Sequence, residues 1–254
     1  MTMDIQIIIC THKAYPMPDD PMYLPLQVGR ALHGDLGFTG DHTGDNISAK
    51  NPTFCELTGL YWGWKNLHAD CIGLCHYRRH FGKKGFGDKW GRLLTSPQAR
   101  ALMELHDVVL PKKRNYFIET NYAQYVHAHH REDLEVTRAI LEEDYPDYLV
   151  AFDGVMHCST TGHRFNMFLM RRNVLEDYCR WLFDVLFKLE ERLDISQYSD
   201  YDKRVFGFVA ERLLDVWLQR NGISFAEVDV VHMEGENLLK KGIGLLRRKF
   251  FGKG

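Results

Sequence analysis

The chemistry of this chain concentrates in Cys75-His76-Tyr77-Arg78-Arg79-His80, which places guanidinium, imidazole, phenol and thiol groups directly after the apolar run Cys71-Ile72-Gly73-Leu74. Such a run is too short for a helix and reads as a buried strand, so His76, Tyr77, Arg78 and Arg79 stand where a strand leaves its sheet. Ligands of open α/β sheets bind outside the carboxyl ends of the strands, and the planar fork of arginine suits phosphate. Two further strand ends carry similar groups. Ile5 to Cys10 runs into Thr11-His12-Lys13, and Val108 to Leu110 runs through Pro111 into Lys112-Lys113-Arg114. Brought to one edge of a parallel sheet, these ends would form an anion pocket. A unit charge pair ~4 Å apart is worth about 4 kcal/mol at an effective dielectric of ~20, so two arginines could supply much of the leaving-group stabilisation usually given by a divalent metal. The competing reading is a solvated arginine pair making surface ion pairs. Because side chains alternate along a strand, one of Arg78 and Arg79 is expected to point away from the pocket.

A reaction in that pocket also needs a base. Carboxylates beside apolar residues are the candidates, since burial and an arginine neighbour tune their pKa in opposite directions. Glu211, two helical turns from Arg204 on nearly the same face, comes first and Asp153 second; each reads more often as a structural ion pair. The run His127-Ala128-His129-His130, with His157, raises a second reading, a metal-dependent hydrolase. Its spacing lacks the i, i+4 histidine pair with adjacent glutamate of zinc helices, and a surface helix end is the simpler account, with His129 alone facing a pocket. A non-catalytic glycan- or lipid-binding module is the third reading. No GxSxG, P-loop or GxGxxG is present, which removes the commonest hydrolase, kinase and dinucleotide-dependent classes.

The remaining sequence supplies the elements that would hold these groups. Ile5 to Cys10 reads as a buried first strand, and Tyr23 to Val28 as an edge-like strand because Pro25 cannot donate to a ladder. Gly34 to Asn51 is a long polar loop carrying Asp41, Asp45, Asn46, Ser48 and Lys50, and a loop of that length in a compact domain usually binds something. Thr53 and Glu56 have capping-box spacing and predict a helix in which Phe54, Leu57, Leu60, Tyr61 and Trp64 recur as far as Lys65-Asn66. Gly59 and Gly63, one turn apart, each cost about 1 kcal/mol of helix propensity and predict close packing on the sheet. Ser96-Pro97 opens a helix to Leu105, Glu119 to Met156 reads as helices divided at Tyr145-Pro146, and Phe165 to Met170 as another strand. Two long amphipathic helices follow, around Leu175–Leu193 and Asp202–Leu218, and Phe225 to Val231 alternates like a final strand.

With 254 residues, 45% of them hydrophobic, the chain can bury a large core, and no repeat or linker divides it. The expected organisation is one catalytic domain over 1–237 and a tail over 238–254. A net charge of -2 argues against nucleic-acid binding, which needs a basic face. The six cysteines form no CxxC pair and lie mostly in apolar segments, which favours reduced thiols in the cytosol. No run approaches the ~20 apolar residues that span a bilayer. The tail carries Lys240, Lys241, Arg247, Arg248, Lys249 and Lys253 among Leu239, Ile243, Phe250 and Phe251, a composition suited to the surface of an anionic membrane.

Several motifs in order, Gly44-Asp45-Asn46-Ile47-Ser48, Lys50-Asn51, Cys55-Glu56-Leu57-Thr58, Tyr61-Trp62-Gly63-Trp64-Lys65-Asn66, Gly73 to Arg79, Asn166-Met167-Phe168 and Arg204 to Leu213, cover nearly the whole chain. They resemble a family of bacterial glycosyltransferases encoded in capsule, exopolysaccharide and O-antigen loci, long catalogued as a domain of unknown function and including a galactofuranosyltransferase module. The resemblance implies an α/β, GT-A-like (Rossmann-like) fold, its mixed, mainly parallel sheet flanked by helices, with a helical C-terminal half. It also implies inverting transfer from a UDP-sugar to a lipid-linked glycan acceptor at the cytoplasmic membrane face. On this reading Thr11 and His12 lie near the nucleotide, Asp45 and Asn46 in the donor pocket, and Ser48, Lys50 and Asn51 also bind substrate. Lys65, Arg78 and Arg79 meet the diphosphate, Asn66, His76, Tyr77, His129, Asn166 and Arg204 make further substrate contacts, and Glu211 or Asp153 takes the acceptor proton. GT-A enzymes usually carry an Asp-x-Asp metal motif after a central strand. His76-Tyr77-Arg78-Arg79 stands in that place, which suggests that no cofactor or metal is needed beyond the UDP-sugar itself.

Overall fold

The computed structural model describes residues 2–234, so the tail over 238–254 lies outside the described residues. The chain opens with strands β1 (Ile5–Thr11), β2 (Tyr23–Gln27) and β3 (Thr39–Gly40), then helices α1 (Asn51–Phe54) and α2 (Leu57–Asn66). Strands β4 (Cys71–His76) and β5 (Arg79–Gly82) follow, then α3 (Ser96–Leu105), β6 (Val108–Pro111) and β7 (Arg114–Asn115). The middle is helical, with α4 (Asn121–Val126), α5 (Arg131–Asp144) and α6 (Leu149–Asp153). The chain then runs through β8 (Thr161–Gly162), β9 (Phe168–Arg171), α7 (Arg172–Arg192), α8 (Val205–Arg220) and β10 (Ala226–His232).

The main sheet is mixed. β1 pairs in parallel with β2 on one side and with β4 on the other, and β2 pairs in parallel with β3. β9 then inserts antiparallel between β4 and β6, so that β6 runs in the same direction as β1 and β4. β10 continues parallel to β6, and β5 returns antiparallel to β10 and meets the tip of β4 through the His76–Arg79 pair. This is the α/β, GT-A-like arrangement expected from the sequence, with antiparallel strands closing its second half. β3 reaches only Leu26 and Gln27, so Pro25 lies beyond its ladder and β2 accommodates it without being an edge strand.

The alternation along β1 shows why its sequence is apolar throughout. Ile8 and Cys10 enter a core shared with α2, α7 and α8, while Ile5, Ile7 and Ile9 enter a second core shared with α3, on the other face. The paired glycines of α2 do what their spacing predicts. A Cβ on Gly59 would lie 2.7 Å from Cys10 Sγ, and one on Gly63 would run into the tip of Ile8, so bare backbone is what lets α2 rest on β1. The same contacts set its direction: the start of α2 lies over the carboxyl end of β1, and Lys65 and Asn66 lie at the other end.

Three local expectations are corrected. Thr53 and Glu56 do not form a capping box, because the helix breaks at Cys55 (φ 52°, ψ −129°); Thr53 Oγ1 donates instead to the Lys50 carbonyl, and the Glu56 side chain caps nothing. Helix α3 is capped one residue earlier than expected, by Thr95 paired with Gln98. β9 begins at Phe168 and not at Phe165, because Phe165 and Asn166 adopt φ values of 76° and 50°, which no strand admits.

Candidate active site

The sharp turn between β4 and β5 sends its two arginines different ways. Arg78, in the turn, is exposed and lies 3.6 Å from Glu234, whereas the Arg79 guanidinium lies 4.4 Å from the centre of the Phe165 ring, across the sheet edge. His76, the partner of Arg79 in the ladder, donates from Nε2 to the Phe165 carbonyl at 2.6 Å. Tyr77 is buried, and its ring meets that of His12 edge-on at 5.3 Å. His12 is held below the ordinary histidine range, by desolvation and then by Lys13, Arg78, Arg204 and His33, so this edge is electropositive.

The left-handed Phe165-Asn166 pair ties three elements to that turn. The Phe165 amide donates to Glu211 Oε1 at 3.0 Å, and Glu211 Oε2 accepts from Arg212 at 2.8 Å. Arg212 is buried, which lowers its pKa, as does the nearby Arg164; Glu211 supplies its countercharge. Asn166 donates to Glu56 Oε1 at 2.7 Å and to the Gly207 carbonyl at 3.1 Å, so the break before α2 and the first turn of α8 are held together. Arg204 Nε donates to Cys55 Sγ at 3.2 Å, beside that break. His129 stacks on Phe208 at 4.1 Å, and burial, followed by the Arg212 charge, lowers it to about 4. One sheet edge thus gathers His12, His76, Tyr77, Arg78, Arg79, Asn166, Arg204 and Glu211, with His129 behind. A separate hollow of about 260 Å³, lined by Lys113, Ser159, Thr161, Asp215 and Phe225, shares none of these side chains.

The other residues singled out by sequence serve the scaffold. Thr11 is buried and donates to the Lys13 carbonyl at 2.6 Å, shaping the turn after β1. Ser48 donates to Asp41, which also accepts from the Gly29 and Arg30 amides and from Thr58, so Asp41 pins the long loop instead of offering a ligand. Lys50 pairs with Glu190 of α7 at 2.6 Å, and Asn51 donates to the Cys55 carbonyl at 2.7 Å, bracing the break. Asp45 accepts from Tyr61 and, through its carbonyl, from Asn66, while Asn46 folds its own loop back onto His42 and Gly44. Lys65 lies 3.6 Å from the centre of the Trp64 ring. Asp45, Lys65 and Asn66 therefore gather at the end of α2 opposite the one that lies over the carboxyl end of β1.

Asp153 is likewise placed elsewhere. Arg138 grips both of its oxygens at 2.9 Å, joining α5 to α6, and holds its carboxyl below the usual range. The histidine cluster divides: His129 and His130 each lie 3.6 Å from Asp202, with His130 stacked on Tyr198 at 3.9 Å, while His127 pairs with Glu119 at 3.0 Å and His157 packs on Tyr122 at 4.6 Å. Sequence reasoning missed Glu56 and Phe165. The signal for Glu56 was present, since it precedes by three residues the glycine that docks α2 on the end of β1.

The whole site lies within residues 6–222, which match the family described as a domain of unknown function, DUF4422. The chain belongs to that family. It is also similar to a solved apo structure of the bifunctional glycosyltransferase WbbM, with a TM-score of 0.84 and 31% sequence identity. That match covers 92% of this chain and 46% of the WbbM chain, so the chain spans about half the length of its relative. No curated protein matches.

Proposed function

We propose that the protein is a glycosyltransferase that moves a hexosyl group, galactofuranosyl or galactopyranosyl, from a UDP-sugar to a lipid-linked glycan acceptor in surface-polysaccharide biosynthesis. The observation that carries this reading is the gathering at one sheet edge of the Arg79 guanidinium and the His76 imidazole with two carboxylates, Glu56 and Glu211. Similarity to a bifunctional glycosyltransferase supports the reaction class. The carboxyl ends of β1 and β4 are where open α/β sheets take their ligands. There Arg79 meets the diphosphate, preorganised by its stacking on Phe165, and stabilises charge as UDP departs. His12 and Tyr77 flank the nucleotide, and Arg204 and Asn166 lie on the sugar side. Inversion at the anomeric carbon follows from a single displacement with one base opposite the leaving group. The diphosphate is met by side-chain cations, and on this reading turnover persists in EDTA.

Among the described residues no helix is long and apolar enough to cross a membrane. A peripheral position on the inner face of the cytoplasmic membrane, reached through the basic and apolar tail, fits a lipid-linked acceptor.

The test is a thermal-shift series with UDP, GDP, CDP and their sugar nucleotides, with Mn²⁺ and with EDTA. A nucleotide at a hundred times its dissociation constant stabilises by about 2.7 kcal/mol, and a shift selective for UDP and indifferent to EDTA is expected. Absence of any nucleotide shift would turn the reading toward a non-catalytic glycan- or lipid-binding module. Hydrolysis abolished by chelation and restored by zinc would turn it toward a metal-dependent hydrolase.

A further inference from the structure

We infer that Glu56, and not Glu211, is the general base, the carboxylate that takes the proton from the acceptor hydroxyl; this rests on the glycosyltransferase reading. The two carboxylates differ in what already occupies them. Both oxygens of Glu211 are engaged, Oε1 by the Phe165 amide at 3.0 Å and Oε2 by Arg212 at 2.8 Å. Losing the second bond would strand Arg212, whose guanidinium is almost wholly enclosed, without its countercharge. Glu211 is therefore a positioning residue that fixes the Phe165-Asn166 turn.

Glu56 is held by one oxygen only. Asn166 donates to Oε1 at 2.7 Å, and among the described residues no donor reaches Oε2. Nor does the carboxylate cap the helix it precedes, since its side chain bonds none of the first amides of α2. The left-handed Cys55 turns the chain so that Glu56 faces the residues before β9, and Asn51 braces that turn through the Cys55 carbonyl. A carboxylate oriented through one oxygen, with the other open beside Arg204 and the Phe165-Asn166 turn, has the geometry a base requires.

In the step assigned to it, Glu56 Oε2 accepts the acceptor O–H proton as that oxygen forms a bond to the anomeric carbon of the donor. The bond from that carbon to the β-phosphate oxygen breaks, and its electron pair leaves with UDP, whose charge Arg79 meets. The products are the lengthened glycan, UDP and protonated Glu56, which returns its proton to solvent.

The experiment compares E56Q and E211Q in the full chain, measuring UDP-induced thermal shift, kcat and the pH profile of kcat/KM. Glutamine at 56 still accepts from Asn166, so the fold and the UDP shift should match wild type. The expected result is a loss of kcat of about a thousandfold in E56Q and disappearance of the acidic limb of its profile. E211Q should keep that limb while losing thermal stability. E56Q within tenfold of wild type, or loss of the limb in E211Q instead, would overturn the assignment. A wild-type protein that neither binds UDP nor transfers sugar would overturn the glycosyltransferase reading itself, a result separable from the first two.

Discussion

Asn166 donates its side-chain amide to the Glu56 carboxylate at 2.7 Å across 110 residues of sequence, from a backbone held at φ 50°. Asparagine tolerates that left-handed conformation better than almost any residue but glycine, and its short amide is what reaches Glu56. Asn166→Asp keeps the backbone preference and replaces the donor with a second negative charge. A like charge disfavours the ionised form of its neighbour. We expect kcat to fall ten- to a hundredfold with donor KM nearly unchanged, and the acidic limb of the pH profile to move to higher pH. Steady-state kinetics across pH 5 to 9 check both; a change in KM alone would mean that Asn166 only binds donor.

The fold was largely legible because its strands are short, bounded apolar runs and its helices carry long periodic faces. The site was less so. Arg78 and Arg79 are chemically identical in sequence, and only the turn that leaves Arg78 beside Glu234 and lays Arg79 on Phe165 separates them. Lys65 and Asn66 looked like neighbours of the arginines because they precede β4 closely. The glycine contacts on β1 show that α2 carries them to the opposite end. Glu56 was hidden by a local pattern, Thr53-x-x-Glu56, that commonly caps a helix and here does not. The left-handed residues that orient it, Cys55, Phe165 and Asn166, have no sequence signature, since tertiary contacts impose those angles on ordinary side chains.

The different settings of the two arginines predict unequal effects. Removing one preorganised electrostatic donor costs about two to three orders of magnitude in turnover, and that loss is expected for Arg79→Ala. Arg78, exposed and paired at the surface, should change turnover less than tenfold when replaced by alanine. Parallel assays of UDP-sugar consumption decide the matter, and equal losses would return Arg78 to the diphosphate site. Arg79→Lys should rescue little, since an ammonium lacks the planar face that stacks on Phe165.

Gly59 links stability to the site. An added methyl would lie 2.7 Å from Cys10 Sγ and 3.0 Å from Val28 Cγ1, both in a packed core. Overpacking of this kind costs about 1 to 3 kcal/mol, against a gain of about 1 kcal/mol in helix propensity. Gly59→Ala should therefore lower Tm, and because Glu56 sits at the start of the same helix, it should lower kcat as well. A variant more stable than wild type would show that α2 shifts freely on β1.

His80 and His129 set an acid limit on stability. Burial lowers each from 6.5 to about 4. Both rings are neutral in the native state, so between pH 6.5 and 4 the unfolded chain binds more protons than the folded one. Stability therefore rises with pH across that window; the contribution is whole above about 6.5 and is lost as pH falls toward 4. At about 1.4 kcal/mol per unit the two together amount to several kcal/mol, opposed in part by Asp133, whose carboxyl burial raises. Urea denaturation at pH 7 and pH 4.5 should show the difference. His129→Phe, which keeps a ring against Phe208 and removes the titrating group, should shrink it by roughly half. Parallel pH dependences in the variant and wild type would mean that His129 keeps its proton in the native state.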